Sequence, residues 1–309
     1  MAENTVKKIA TRESYGNSLK ELAEEFPNLV VLDADLAAAT KTGIFRKAYP
    51  DRHIDCGIAE SNMMGVAAGL SLVGKIPFVS SFAMFAAGRA FEQVRNSIGY
   101  PHLNVKIGAT HAGITVGEDG ATHQCNEDIA LMRTIPGMVV MCPSDDVEAR
   151  AAVRAALEYE GPVYIRFGRA AVPVINDHPG YHFEIGKGTI VREGKDVTIV
   201  ATGICVDSAL GAAKMLEEEG ISAEVVNICT IKPLDEEIII NSAKKTGKVV
   251  TVEEHSVIGG LGSAVCDCLC AHYPVPVKKV GMQDVFGESG SAAALVEKYG
   301  LDAKGVYKS

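Results

Sequence analysis

Runs of apolar, often β-branched residues alternate along the chain with longer stretches in which apolar positions recur at helical spacing. The short runs are typical of strands that a sheet buries on both faces, and the longer stretches predict helices. The strand-like runs are "LVVLDAD", "HIDCGIAE", "IPFVSSF", "VKIGATH", "MVVMCPSD" and "PVYIRFG". This alternation predicts a parallel sheet with helices on both faces, in which ligands bind at the carboxyl ends of the strands.

The pattern changes after Arg169, where "AAVPVINDHPGYHFEIGKG" is rich in proline, glycine and polar residues. A second alternating unit follows, with strand-like runs such as "DVTIVATG", "SAEVVNICTI" and "GKVVTVEEH". The sequence therefore predicts two doubly wound α/β domains, a larger one over residues 1–172 and a smaller one over residues 187–309, joined by a linker over residues 173–186.

Composition excludes several kinds of partner. The net charge of −9 without a basic stripe argues against nucleic acid or an anionic membrane. The N-terminus lacks the apolar core of a signal peptide, and no apolar stretch approaches the ~20 residues that span a bilayer. The 8 cysteines are scattered and lie mostly in apolar runs, so we expect free thiols in a reducing cytoplasm. The "CDCLC" run lacks the second ligand pair of a zinc site, and we expect no metal on this chain.

Glu60 is the first candidate for chemistry. It ends the run "IDCGIAE" and precedes a predicted helix that begins "SNMMGVAAGL". A carboxylate at the carboxyl edge of the sheet, beside apolar walls, is suited to holding or sharing a proton. The alternative is an acid in the first turn of a helix that only stabilises the helix dipole.

Two phenylalanines follow the run "IPFVSSF". Phe82 and Phe85 stand close together in a chain that has 9 phenylalanines and no tryptophan. This pair could stack on a flat ring. Core packing beneath a helix explains the same spacing, so both interpretations stay open.

The stretch "ATHAGITVGEDGATHQ" concentrates polar residues after a predicted strand. Its glycines let the backbone fold tightly and approach a ligand. The side chains of His111, Asp119 and His123 are suited to binding hydroxyl groups or moving protons near neutral pH. The alternative is a solvated loop between two buried strands.

Arginines near the predicted strand ends are candidates for phosphate recognition. Arg12 lies in "IATRES" and Arg169 in "IRFGR", and the planar guanidinium matches phosphate through paired hydrogen bonds. Arg166 alternates with apolar neighbours on a predicted strand, which favours pairing with a local acid instead.

These residues lie in motifs that resemble the C-terminal half of transketolase, a thiamine-diphosphate enzyme. The motifs are "IATRES", "DADL", "GIAESNM", "SSFAMF", "THAGITVGEDGATHQ", "IRFGR", "TIKPLD" and "VEEHSVIGGLGSAV". The resemblance covers nearly the whole chain, and the order and spacing of the motifs together are specific to this family. The resemblance implies a pyrimidine-binding domain followed by the transketolase C-terminal domain.

The resemblance also implies how the cofactor is bound. Glu60 would hydrogen-bond the aminopyrimidine ring of thiamine diphosphate and promote its reactive tautomer. Phe82 and Phe85 would form the aromatic pocket around that ring, and Asp35 would lie near the cofactor at a subunit interface.

The same resemblance assigns the substrate side of the site. His111, Asp119 and His123 would contact sugar hydroxyls, with the two histidines also near the developing alkoxide. Arg12 and Arg169 would bind the sugar phosphate. The implied reaction transfers a two-carbon ketol unit from a ketose phosphate to an aldose phosphate.

Other positions are expected to be structural or to differ from the family. The family often has a phosphate-binding serine near Ala39, and this chain reads "LAAATKT", so either Thr40 takes that role or the contact is lost. Arg95 and Glu118 are expected to be structural. For His255 we expect packing and subunit contact.

A full transketolase chain begins with a diphosphate-binding domain that carries a GDG-type Mg²⁺ motif, and this sequence contains no GDG. The resemblance therefore implies a split transketolase. A separate N-terminal subunit would supply the diphosphate and Mg²⁺ site, and the two chains would associate as α₂β₂, with self-association of this chain.

Two other interpretations stay open. One is a sister enzyme, either 1-deoxyxylulose-5-phosphate synthase or the beta subunit of a 2-oxoacid dehydrogenase, which shares the glutamate and the "EEH…GGLGSAV" segment. The other is a scaffold subunit that has kept the fold without catalysis. The polar stretch from His111 to His123 favours the transketolase interpretation, because a sugar site needs hydroxyl-binding groups.

Overall fold

The structure of the protein, a computed structural model, describes residues 7–309. Its strands are β1 Lys8–Ala10, β2 Leu29–Asp33, β3 His53–Asp55, β4 Ile76–Phe82, β5 Lys106–Thr110, β6 Val139–Met141, β7 Val163–Arg166, β8 Ala171–Pro173, β9 Thr189–Arg192, β10 Val197–Ala201, β11 Ala223–Asn227, β12 Thr230–Lys232, β13 Val249–Ser256 and β14 Val277–Met282.

The helices connect these strands. They are α1 Thr11–Leu22, α2 Ala37–Thr40, α3 Gly43–Ala48, α4 Glu60–Leu72, α5 Phe91–Gln93, α6 Asp128–Arg133, α7 Asp146–Glu158, α8 Cys205–Glu218, α9 Glu236–Thr246, α10 Leu261–His272, α11 Ala292–Lys298 and α12 Ala303–Lys308. Two π-helical segments, Met84–Arg89 and Val94–Gly99, flank α5, and 3₁₀ turns cover Pro50–Arg52 and Ile114–Asp119. Within residues 7–309, no helix is both long enough and apolar enough to cross a bilayer.

The first sheet has seven strands in the order β12-β6-β7-β5-β4-β2-β3. Every pairing from β6 to β3 is parallel, and β12 adds antiparallel to the β6 edge. All residues of β2 and of β5 are buried, as the continuous apolar runs predict for strands covered on both faces.

The second sheet has five strands in the order β14-β13-β10-β11-β9. Its β10, β11, β13 and β14 strands are parallel, whereas β9 runs antiparallel at the edge. The prediction of two doubly wound α/β units is confirmed.

The two units share one continuous apolar core. Ile107 and Val140 of the first sheet belong to the same buried cluster as Val226 and Val249 of the second. The run "SAEVVNICTI" links the units further, because it forms not one strand but two: β11 in the second sheet and then β12, which pairs with β6 of the first. The second unit thus completes the edge of the first sheet.

The run "HIDCGIAE" also differs from its predicted form. Strand β3 ends at Asp55, and Gly57 follows with φ +67°, a left-handed conformation that ends an extended strand. Glu60 is therefore not the last residue of a strand but the first residue of α4. The loop between β3 and α4 still brings Glu60 to the carboxyl edge of the parallel sheet.

Candidate active site

Glu60 is a buried carboxylate with a single cationic partner. Only 2% of it is exposed, and its Oε2 accepts a hydrogen bond of 2.9 Å from Nη1 of Arg89, whose side chain is half exposed. Among the described residues, no hydrogen bond is donated to its other oxygen, Oε1. Glu60 is also the first residue of α4, where a carboxylate stabilises the helix dipole. The hydrogen bond from Arg89 orients the carboxylate in addition to this effect.

Aromatic contacts lead from Arg89 to the end of β5. The guanidinium carbon of Arg89 lies 4.4 Å from the ring centroid of Phe85. Phe85 stacks on Phe82 with centroids 5.9 Å apart and ring planes 17° apart, and Phe82 in turn stacks on His111 at 3.9 Å. The four side chains and Glu60 thus form a continuous set of contacts, which we call the aromatic cluster. Phe82 is buried but Phe85 is only half buried, so core packing does not account for both rings.

His111 is held in one tautomer. Nη1 of Arg12 lies 3.0 Å from its Nε2, and Oγ1 of Thr110 lies 2.9 Å from its Nδ1. Arginine can only donate, so Nε2 is the acceptor and the proton stays on Nδ1, which donates to Thr110. Burial, with a smaller effect of the nearby Arg12 and Arg169 charges, lowers the pKa of His111 to about 3. The imidazole is therefore neutral at physiological pH.

His123 completes the aromatic cluster from the other side. Its ring meets Phe85 edge-on at 5.4 Å and Phe82 edge-on at 6.3 Å. Nδ1 of His123 lies 2.9 Å from Oγ1 of Thr122. Because the Ile114–Asp119 turn folds back through Gly117 and Gly120, His123 lies beside Phe82, the ring on which His111 stacks.

Arg12 and Arg169 lie close enough to affect each other. Burial lowers the pKa of Arg12, and the charge of Arg169 lowers it further. Arg12 donates from Nη1 to the carbonyl of Ala39 at 2.9 Å, and its buried Nε has no hydrogen-bond partner among residues 7–309. Arg169 donates to the carbonyl of Val116 and, at 2.9 Å, to Oε2 of Glu118. Two neighbouring cations form a local excess of positive charge that favours an anionic ligand.

Asp35 and Asp119 stand apart from the aromatic cluster. Both are exposed, and neither side chain makes a hydrogen bond within residues 7–309. Asp35 has φ +61° and donates its backbone N–H to Oδ1 of Asp55 at 3.1 Å, which turns the chain outward after β2. A single chain does not bring these two carboxylates to the other candidates.

The inward-facing acid of "DADL" is Asp33, which the sequence did not single out. It is fully buried at the end of β2, and Thr40 and Thr42 each donate to its Oδ2 at 2.8 Å. Burial raises its pKa, against the lowering effect of these hydrogen bonds. The Thr40 hydroxyl is thus directed to Asp33, and a phosphate-binding role of Thr40 stays a prediction.

Two cations near the site were missed by the sequence analysis. Arg89 comes four residues after Phe85, a helical spacing that places the two side chains together and could have identified it. Lys41 follows α2 with φ +71°, pairs with Glu13 at 3.4 Å and is among the charges that lower the pKa of His111. No local pattern marks Lys41, because its position depends on the turn after α2.

The arrangement can bind a flat ring and an anion. Buried Glu60 is linked through Arg89 to the half-buried ring of Phe85. Arg12 contacts the neutral His111, and Arg169 lies close enough to Arg12 to lower its pKa. Within residues 7–309, no three His, Cys, Asp or Glu side chains are grouped so that they could hold a metal ion.

Comparisons with known families match both units. The transketolase pyrimidine-binding domain family matches residues 7–174, and the transketolase C-terminal domain family matches residues 186–306. The chain is 52% identical over 299 residues to a protein of Methanocaldococcus jannaschii named transketolase C-terminal section, covering 96% of this chain and 94% of that protein.

A second relative has a named substrate. The 6-deoxy-6-sulfo-D-fructose transketolase subunit SqwH of Clostridium sp. is 49% identical over 298 residues, covering 96% of this chain and 92% of that protein.

Solved structures agree with these matches. A structure described as a split gene transketolase, an inactive β4 tetramer, has a TM-score of 0.89 and 59% identity, covering 98% of this chain and 97% of that chain. Transketolase from Campylobacter jejuni has a TM-score of 0.82 and 26% identity, covering 98% of this chain and 46% of that chain. The chain therefore belongs to the transketolase family and corresponds to its C-terminal half.

Proposed function

We propose that this chain is the C-terminal subunit of a split transketolase. It would transfer a two-carbon ketol unit from a ketose phosphate to an aldose phosphate with thiamine diphosphate. The observation that carries the proposal is the aromatic cluster, in which a buried Glu60 is joined through Arg89, Phe85 and Phe82 to His111.

The residues of the aromatic cluster fit the aminopyrimidine ring of the cofactor. Glu60 has a carboxylate oxygen without a protein donor, which can accept a hydrogen bond from a ring N–H. The half-buried face of Phe85 can stack on a flat heterocycle. When bound, thiamine diphosphate supplies an electron sink for the negative charge that a ketose carbon carries after carbon–carbon cleavage.

The histidines fit the handling of sugar hydroxyls. His111 is neutral and carries its proton on Nδ1, so its Nε2 is an acceptor. A sugar hydroxyl can donate to Nε2 in place of Arg12, which donates there in this structure. His123 meets Phe82 and Phe85 edge-on and can contact a second hydroxyl. Asp119, exposed in this single chain, would complete the site on assembly with the partner.

The arginines fit the far end of the substrate. Arg12 and Arg169 already lie close together, and a phosphate would relieve their repulsion while taking hydrogen bonds from both. Lys41 adds a third positive charge near the site. A terminal phosphate or another strong anion such as a sulfonate fits these three cations.

The diphosphate and Mg²⁺ are assigned to a separate N-terminal subunit. This assignment is supported by the two full-length relatives described as a C-terminal section and as a subunit, and by the split-gene structure. The exposed Asp35 then becomes a residue of the contact between the chains. Self-association of this chain is supported by the tetrameric neighbour.

Reconstitution tests the proposal. The chain is combined with an N-terminal transketolase subunit, thiamine diphosphate and Mg²⁺, and a panel of ketose and aldose phosphates is assayed. Transfer is expected only when both chains are present. Decarboxylation of pyruvate without ketol transfer would instead favour the sister-enzyme interpretation, and an active pair that tolerates Glu60→Ala would contradict the proposed site.

A further inference from the structure

A buried glutamate of the second unit contacts the loop that carries the histidines. Glu254 lies on β13 and is 3% exposed. Its Oε1 accepts a hydrogen bond of 2.7 Å from the backbone N–H of Thr115. A Cβ atom on Gly113 would come within 2.3 Å of the Glu254 carboxyl carbon, so the glutamate packs directly against the backbone two residues after His111.

The far end of the same loop is held by Arg166. Its side chain is 5% exposed on β7, and Nε donates to Oδ2 of Asp128 at 2.9 Å. Nη2 donates to the carbonyl of Cys125 at 3.3 Å and to the backbone carbonyl of Glu254 at 2.7 Å, while Nη1 lies 3.7 Å from Oε2 of Glu254. The pairing expected for Arg166 with a local acid is confirmed, and it includes an acid from the second unit.

The loop from residue 111 to residue 126 is therefore fixed at both ends by one buried network. Glu254 holds its start through Thr115, and Arg166 holds its end through Cys125. Burial raises the pKa of Glu254, an effect that the nearby Arg166 charge opposes. Two charges removed from water in this way are costly unless each is paired, so loss of one partner should disturb the other.

The neighbouring acid on β13 has a different task. Glu253 is fully buried and accepts hydrogen bonds from the backbone N–H groups of Leu261 at 2.7 Å and Gly262 at 2.8 Å, at the start of α10. Successive residues of a strand face opposite sides of the sheet, which explains why Glu253 and Glu254 serve different contacts. Glu253 thus provides a matched control for any effect of Glu254.

We propose that Glu254 is a positioning residue of the sugar site, holding the His111–His123 loop through Thr115 and Arg166. The proposal rests on the proposed function for its catalytic consequence. It assigns the second unit a part in substrate handling in addition to assembly. Thiamine diphosphate binding should change less than sugar turnover, because within the described residues Glu254 reaches Phe82 and Phe85 only indirectly, through the loop that carries His111 and His123.

Hydrogen exchange on the full chain tests the positioning itself. Glu254→Ala and Glu254→Gln are compared with Glu253→Ala and Glu253→Gln. Glu254→Ala is expected to speed exchange of the 111–119 segment by about tenfold or more relative to wild type, because it removes the acceptor of the Thr115 amide. The Glu253 variants should instead speed exchange at the start of α10. Equal protection of the 111–119 segment in the wild type and in Glu254→Ala overturns the proposal.

Kinetics with the reconstituted pair tests the consequence. The Glu254 variants are expected to lower kcat/KM for sugar phosphates by about 10- to 100-fold, since small displacements of positioning groups have effects of that size. The change in thiamine diphosphate affinity should be smaller than the loss in kcat/KM. If the wild-type pair shows no ketol transfer, the proposed function fails while the exchange experiment still decides the positioning. Unchanged kcat/KM in an active pair overturns the proposal.

A variant on the loop side covers the case in which Glu254 variants do not fold. Gly113→Ala would introduce a methyl group at φ +73° against the Glu254 carboxylate, so it disturbs the same contact from the first unit. It is expected to lower kcat/KM for sugars by a larger factor than it weakens thiamine diphosphate binding. Wild-type kinetics in Gly113→Ala would contradict the proposal.

Discussion

Arg89 donates to Oε2 of Glu60 across 2.9 Å, and the two side chains differ sharply in exposure. The carboxylate is 2% exposed, whereas half of the arginine side chain lies in solvent. The arginine also lies over Phe85, so a single side chain links the acid to the aromatic rings. Glu60 is therefore oriented before any ligand binds.

Removal of Arg89 should destabilise the chain. Arg89→Met leaves the Glu60 carboxylate buried without its partner, and we expect the free energy of unfolding to fall by about 1–2 kcal/mol. The expected loss is below that of a fully buried pair because water reaches Arg89. Urea unfolding measures it. Arg95→Met is the control, since Arg95 is exposed on the second π-helical segment and, within residues 7–309, its side chain bonds only to Asn96. Equal stability of the two variants would contradict the role of the ion pair.

The neutral state of His111 can be tested by NMR. Its pKa of about 3 lies below the ordinary 6.5, so the imidazole signals should not titrate between pH 8 and pH 5. Between the folded pKa of about 3 and the ordinary pKa of 6.5, the His111 ring binds more protons in the unfolded chain than in the folded chain. The contribution of His111 to stability therefore falls as pH falls below 6.5.

Arg12 provides the accompanying variant. Arg12→Met removes both a neighbouring charge and the donor to Nε2, so the pKa of His111 should rise relative to the wild type. A wild-type titration midpoint near 6.5 would contradict the assigned environment of His111.

Arg169 should affect phosphorylated substrates selectively. In the reconstituted pair, Arg169→Met is expected to raise KM for a phosphorylated aldose by about tenfold, because a charge-assisted hydrogen bond to phosphate is lost. KM for the unphosphorylated sugar should change little. Arg154→Met serves as the control, since Arg154 is an exposed arginine of α7 that pairs with Glu25. Equal effects of Arg169→Met on the two sugars would remove Arg169 from the phosphate site.

Two substitutions in the segment after β2 should have different effects, one on stability and the other on phosphate binding. Thr40→Val deletes the hydroxyl that donates to Asp33, and we expect a loss of about 1–3 kcal/mol in unfolding free energy with little change in KM. Ala39→Ser should instead lower KM for phosphorylated sugars, because a hydroxyl is added next to the carbonyl that accepts from Arg12. Steady-state kinetics and urea unfolding of both variants test this division. An increased KM in Thr40→Val would return Thr40 to the phosphate site.

Local patterns predicted the architecture because each buried parallel strand must be apolar along its length. Strands β2, β4 and β5 follow the apolar runs closely. The pattern failed where pairing is decided at long range. Thr230–Lys232 leaves the second sheet to pair with β6, and nothing in its own residues distinguishes it from a continuation of β11.

The site was predicted only in part, because contacts between distant segments of the chain are also not visible in local patterns. Residue types and the family resemblance identified Glu60 and His111, but the partner of Glu60 lies 29 residues away on another segment. The acids of "DADL" show a second limit, because the sequence could not tell that Asp33 faces inward and Asp35 outward. The chain bends at the positive φ of Asp35, which leaves the Asp35 side chain exposed after β2.

The most direct test of the central claim is ketol transfer measured with the reconstituted pair, for the wild type and for Glu60→Gln. We expect that neither chain alone is active and that the wild-type pair transfers the two-carbon unit. Glu60→Gln should lower kcat by about 100-fold or more because proton handling at the ring is lost. Activity of this chain alone, or near wild-type transfer by the Glu60→Gln pair, would contradict the central claim.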